Sequence, residues 1–177
     1  MFINVTKKAM PVFSALPTVA DQAKAHEEAA AAPLWSWHAN LLIHQRKKIL
    51  VLVQDATGMT VVLVDVNAQR KKQLATLITD GIAQTFAAVG VDAGPYLAQA
   101  GKLEVNSTYS RAISAVVTNR ILLLAHGLNY EPMDWTQPIN VGLGVRGSQT
   151  PYISRKKALP TWPIDAFKAA AAKEFQS

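Results

Sequence analysis

The chain of 177 residues contains no cysteine. That removes disulfides, thiolate nucleophiles and cysteine-ligated zinc together. Acidic residues are scarce, 12 against 18 lysines and arginines, which leaves a formal charge of +6. No apolar run approaches the ~18 residues needed to span a bilayer, so no membrane partner is expected. The opening Met1-Phe2-Ile3-Asn4-Val5-Thr6-Lys7-Lys8 carries its charge after its apolar residues, the reverse of a secretory signal. A cytoplasmic protein is the simplest expectation. There is also no H-E-x-x-H, no G-x-S-x-G and no P-loop, so the standard metalloprotease, hydrolase and NTPase readings lack support.

What is present is a globular composition. Half the residues are apolar and 17% are charged, enough for one substantial core and too apolar for a disordered chain. The organising stretch runs from Trp35 to Val64. Trp35, Trp37, Ala39, Leu41 and Ile43 alternate with Ser36, His38, Asn40 and His44, the two-residue period of a strand with one apolar and one polar face. A charged turn, Gln45-Arg46-Lys47-Lys48, leads to Ile49-Leu50-Val51-Leu52-Val53, and Asp55-Ala56-Thr57-Gly58 leads to Met59-Thr60-Val61-Val62-Leu63-Val64. Those two runs are apolar on both faces and need cover on each.

The fold class expected is therefore α+β: an antiparallel meander over residues 35–64, joined by the short strand Phe2–Thr6. Two long helices, 67–89 and 108–126, cover it. Asn67 is a suitable N-cap, and Leu74, Leu77, Ile78, Ile82, Phe86 and Val89 recur at helical spacing. Gly81 falls on that stripe, which a close helix–sheet contact would explain. Thr18 with Asp21 suggests a cap for a peripheral Ala-rich helix over 20–32. Pro95 and Gly101 bracket a short helix, Leu103 to Ser107 reads as a further strand, and Gly127 closes the second long helix. Its Ile121-Leu122-Leu123-Leu124-Ala125 run is apolar all round, which implies deep burial.

Residues 1–128 read as the core domain. Residues 129–177 read as an irregular Pro/Gly-rich arm followed by a terminal helix that packs through Ile164, Phe167, Ala171 and Phe175. Trp135, Tyr152, Ile153 and Trp162 of this arm are expected to dock on the domain or on a second subunit. Gly142-Leu143-Gly144-Val145-Arg146-Gly147 spells G-x-G-x-x-G, yet Pro151 follows at once and no acidic residue stands at the required distance. A glycine-rich turn is the reading, and no cofactor is expected.

Function rests on two sets of residues. Arg-Lys-Lys occurs three times, as Arg46-Lys47-Lys48, Arg70-Lys71-Lys72 and Arg155-Lys156-Lys157. The meander should bring the first two to one edge of the domain, where clustered cations suit nucleic acid or another polyanion. The second set is polar: His38, Asn40, Asp55 and Arg111, a candidate enzyme site with His38 as general base and Arg111 beside a helix N-terminus. His38 and His44 lie roughly 20 Å apart along a strand, too far for one metal ion, and no metal site is expected. Arg120 reads as an ion-pair partner or a snorkelling side chain. The triplets favour a non-enzymatic polyanion-binding accessory protein, with a protein-interaction module or homodimer, and the enzyme, as the alternatives.

Met1-Phe2-Ile3 with Thr6-Lys7-Lys8, Trp37-His38-Ala39-Asn40-Leu41-Leu42, the basic turn with Asp55-Ala56-Thr57, and Ser110-Arg111 opening a helix resemble one bacterial family of small uncharacterised proteins. Its members read M-F-I-x-x-T-K-K, W-H-A-N-L-L, L-V-x-D-A-T and R-S-V-x-G-S-M-N. The chain departs from the last motif at Ala112 to Val117. The resemblance implies a coherent bacterial or phage domain and carries no activity with it.

Overall fold

The computed structural model describes residues 1–128, 133–152 and 160–175. Its centre is a five-stranded sheet: β1 (Phe2–Val5), β2 (Ser36–His44), β3 (Lys47–Gln54), β4 (Thr60–Leu63) and β5 (Glu104–Ser107), in the order β4-β3-β2-β1-β5. β2, β3 and β4 pair antiparallel, while β1 lies parallel to both β2 and β5. The sheet is thus mixed, which corrects the wholly antiparallel expectation. Parallel neighbours need long crossovers. Residues between β1 and β2 include helix α1 (Gln22–Ala31), and three helices intervene between β4 and β5: α2 (Ala68–Lys71), α3 (Leu74–Ala88) and α4 (Gly94–Gln99). The chain continues through α5 (Arg111–Leu128), α6 (Val141–Ser148) and α7 (Pro163–Phe175).

The two faces of the sheet feed two cores. Ile3, Val5, Trp37, Ala39, Leu41, Leu50, Leu52, Val61 and Leu63 meet α3 through Leu74, Leu77, Ile78, Ile82 and Phe86. Ile164, Phe167, Ala171 and Phe175 of α7 join this side. On the other face Ile49, Val51, Val53, Val62 and Val64 meet α5 through Val117, Ile121, Leu124 and Leu128. Each fully buried Val, Leu or Ile contributes about 1.5–3 kcal/mol, so these layers dominate stability.

Several local readings change. The hairpin turn is only Gln45-Arg46, both at positive φ (48° and 64°), since β3 begins at Lys47. Two left-handed residues match the right-handed twist of the flanking strands. Trp35 belongs to a short 3-10 turn rather than to β2, and Ile43 at the end of β2 is exposed. The helix expected over 67–89 divides at Lys72-Gln73 into α2 and α3. Asn67 does cap α2, its side chain accepting from the N–H groups of Gln69 and Arg70. Asp21, not Thr18, caps α1, accepting from the Lys24 N–H. α5 continues through Gly127, and Leu122 is 63% exposed, so the helix is buried along one stripe only.

The glycines of the supposed turn lie inside α6, which Asn140 caps by accepting from the Leu143 N–H. Two of them, Gly144 and Gly147, are there for proximity. A Cβ on Gly147 would stand 2.7 Å from Thr60 Cγ2, and one on Gly144 would stand 2.9 Å from Thr85 Oγ1. Just before α6, the Val64 N–H donates to Pro138 O and the Asn140 N–H to Val62 O, covering the edge of β4. This part of the arm is regular. Trp135 is half-buried and Tyr152 likewise, but Trp162 is 54% exposed and does not dock on the described residues. Ile153 and the triplet Arg155-Lys156-Lys157 lie outside the described residues.

Gly81 of α3 faces β4: a Cβ there would lie 2.7 Å from Val61 Cγ1 and 3.3 Å from Leu63 Cδ2. Alanine favours a helix over glycine by ~1 kcal/mol, yet overpacking costs about 1–3 kcal/mol. Gly81→Ala is therefore expected to lower stability in urea denaturation. A midpoint equal to or above that of the parent protein would refute the close contact.

Candidate functional site

The same-face neighbours along one register line of the sheet are Asn106, Asn4, His38, Val53 and Thr60, one from each strand in spatial order. Val53 belongs to the core beneath α5, so this whole row lies on the α5 side. Four of its five members are polar and almost wholly enclosed: Asn106, Asn4 and His38, on the β5-β1-β2 side, are 2%, 0% and 1% exposed, and Thr60 is 0% exposed. Polar groups in such positions need partners.

Asp55 supplies most of them. It follows β3 directly, tied to β2 by its N–H donating to Ser36 O at 2.9 Å. Its carboxylate is fully buried and lies 2.7 Å from His38 Nδ1 through Oδ1. Oδ2 accepts from Ser36 Oγ at 2.6 Å, Tyr109 OH at 3.1 Å and Asn4 Nδ2 at 3.5 Å. Asn4 Nδ2 also donates to Ser36 Oγ at 2.7 Å. A carboxylate accepts, so the imidazole presents Nδ1–H to Asp55, and in the neutral ring the lone pair then sits on Nε2. His38 Nε2 is buried and has no hydrogen-bond partner among the described residues; Asn4 Oδ1 and Asn106 Nδ2 share that condition.

Tyr109 closes the site. Its ring packs on His38 at 5.1 Å between centroids and on His26 of α1 at 5.4 Å. Burial, then the Asp55 charge, push its phenol up to about 12, so the hydroxyl keeps its proton and donates. Tyr109 also lines an open groove of about 600 Å³ along the start of α5, with Thr108, Ser110, Arg111, Ser114 and Thr118 among its walls. Ser110 Oγ accepts from the Ile113 N–H at 3.3 Å, ordering the first turn.

Of the four candidates read from the sequence, the fold joins His38 and Asp55. Asn40 is engaged elsewhere, its Oδ1 accepting from Thr6 Oγ1 at 2.7 Å and from the Leu41 N–H at 2.8 Å. Arg111 is exposed in the groove, and no hydrogen bond or ion pair joins it to His38 or Asp55 among the described residues. Asn4, Ser36, Asn106 and Tyr109 were not singled out as a site. The one signal was a polar residue, Asn4, inside the apolar run Phe2-Ile3-Asn4-Val5; nothing local marked Asn106, and only the register unites the two. Among the described residues no group of His, Asp or Glu could hold a metal ion.

The two described basic triplets meet at the far end of the sheet, around Asp65. Lys47 Nζ lies 3.2 Å from Asp65 Oδ2 and 5.0 Å over the Trp135 ring. Arg70 Nη1 is 3.8 Å from the same carboxylate and donates to Val64 O, while Nη2 donates to the carbonyls of Trp135 and Thr136. Lys71 Nζ donates to Pro11 O. Arg46, Lys48 and Lys72 are exposed.

The family model described as a domain of unknown function (DUF6933) matches residues 2–166, and the chain belongs to that family. No curated protein and no solved structure matches it. No helix among the described residues is long and apolar enough to cross a membrane.

Asp55 is the common acceptor for three elements, so its loss strands buried donors. Asp55→Ala is expected to lower unfolding stability by about 3–5 kcal/mol in guanidinium titration, the range for breaking one side of a buried pair. A loss below about 1 kcal/mol would contradict the network.

Proposed function

We propose that this member of the family is an enzyme acting on a small polar molecule, with His38 as general base. The observation that carries the reading is a single pair of facts. His38 Nδ1 is locked on a buried carboxylate, while Nε2 is buried without a partner among the described residues. The large majority of buried side-chain polar atoms are paired. Among the described residues His44 Nε2 is unpartnered too, but no aspartate orients its ring as Asp55 orients His38. One nitrogen oriented by an aspartate and the other free is the arrangement a base needs to take a proton from a water or hydroxyl.

Asp55 then holds the tautomer and stabilises the imidazolium that forms. Asn4 Oδ1 and Asn106 Nδ2, the other two unpartnered atoms of the row, supply one acceptor and one donor. That complement suits a substrate bearing an amide or hydroxyl group. Tyr109 both packs on His38 and lines the groove, and in this reading its side chain swings aside for a substrate held near Ser110 and Arg111 to reach the buried Nε2. The test is a panel of small ester, amide and phosphoester substrates, assayed with the parent protein and His38→Asn. Turnover of one class, lowered about 10²–10⁴-fold in a folded His38→Asn protein, is expected. Turnover unaffected by that substitution, or none on any class, counts against the enzyme.

A polyanion-binding role is the second reading, favoured by the meeting of two basic triplets around Asp65. Lys47, Arg70 and Lys71 serve internal contacts, which leaves Arg46, Lys48 and Lys72 as the groups free to engage phosphates. Reversing those three to glutamate should abolish low-salt binding of a DNA duplex in a mobility-shift assay. The parent's affinity should fall with salt at a log–log slope of roughly −0.9 per neutralised phosphate. Absence of binding by the parent at low salt ends this reading.

A further inference from the structure

A second buried group is unaccounted for, well along α5 from the His38 site. Arg120 is 3% exposed, and its Nη1 donates to Thr150 O at 2.8 Å. No carboxylate lies within ion-pair distance among the described residues, so it is neither the ion-pair partner nor the snorkelling side chain its sequence position suggested. Its Nε and Nη2 are both buried and both without a hydrogen-bond partner among the described residues.

The pattern of what is bound and what is free is informative. In a planar guanidinium, Nε–H and one Nη2–H point the same way and form the side-on fork that grips two oxygens of one oxyanion. Nη1 lies on the other side of the plane's axis, and that is the nitrogen anchored to the backbone. The anchor fixes the plane and leaves the whole fork unused. Burial lowers the Arg120 pKa to about 10, with the neighbouring Tyr152 opposing the shift, so the group remains a cation at neutral pH. A buried, charged, unpaired fork is unfavourable for the bare fold and is understandable if the fold keeps it for an anion.

We propose that Arg120 binds a carboxylate or phosphoryl group of a ligand through Nε and Nη2. This goes beyond the His38 reading and does not depend on it.

The experiment is thermal denaturation at fixed pH and ionic strength in inorganic phosphate, in acetate and in chloride. The parent protein should melt about 3–6 °C higher at ten times Kd of phosphate or of acetate than in chloride. Which of the two is effective distinguishes a phosphoryl from a carboxylate ligand. Arg120→Met should lose that increment and, in chloride, melt no lower than the parent, because it removes an unpaired buried charge. Arg120→Lys keeps the charge without the fork and should lose at least half the increment, which provides a reading even if the methionine variant fails to fold. His38→Asn should keep the increment in full. Equal melting of the parent in all three salts overturns the proposal. So does an increment that survives in Arg120→Met or undiminished in Arg120→Lys, since surface lysines would then be its source.

Discussion

A carboxylate withdrawn from water has to be met by donors, and Asp55 is met by four. They come from β1 (Asn4), β2 (Ser36 and His38) and the link before α5 (Tyr109). An ionised group in that position without them would be untenable. The requirement reaches back into the topology. Asn4 can serve only because β1 slots in parallel beside β2 with Asn4 opposite His38, and Tyr109 only because β5 lies beyond β1 and delivers the chain there. The sheet order and the polar network are therefore one arrangement seen at two scales.

The two faces of the sheet treat polarity differently. Toward α3 the side chains are apolar and interdigitated, and the polar groups around Trp37 are paired: Trp37 Nε1 donates to Tyr96 OH at 2.9 Å, and Tyr96 OH to Leu34 O at 2.8 Å. The Thr85 hydroxyl of α3 is buried without a partner among the described residues. Toward α5 an apolar half, from Ile49 to Val64, adjoins a polar half with unpartnered atoms on Asn4, His38 and Asn106. Arg120 adds two more beneath the same helix. Folds tolerate such violations chiefly where function requires them. Both sides hold the protein together, and the unpartnered atoms of Asn4, His38, Asn106 and Arg120 gather on the α5 side.

Much of the framework was legible in the residues. The period-two face of β2, the Asn67 cap and the glycine of α3 each carry a local physical signature, and each reads directly. What escaped depends on distant neighbours. Nothing in Phe2-Ile3-Asn4-Val5 states whether its partners run parallel, so the mixed sheet and the Asn106–Asn4–His38 row were hidden. The break at Lys72-Gln73 falls within a helical pattern that has no proline or glycine to mark it. Gly144 and Gly147 read as a turn because glycine has two uses, conformational freedom and close approach, and only Thr60 and Thr85 decide between them. The basic triplets read as cations clustered at one edge for a polyanion, whereas Asp65 and nearby carbonyls engage Lys47 and Arg70. His38 and Asp55 were visible as candidates, but their 2.7 Å contact was not.

The central claim is that His38 is held by Asp55 with Nε2 left available. Two-dimensional nitrogen–proton correlation on histidine-labelled protein, at a pH where the ring is neutral, reads this directly. The account requires His38 to be the Nδ1–H tautomer, with the Nδ1 proton shifted downfield by its carboxylate and Nε2 resonating as a bare, unprotonated nitrogen. An Nε2–H tautomer, or rapid averaging between the two, would contradict it.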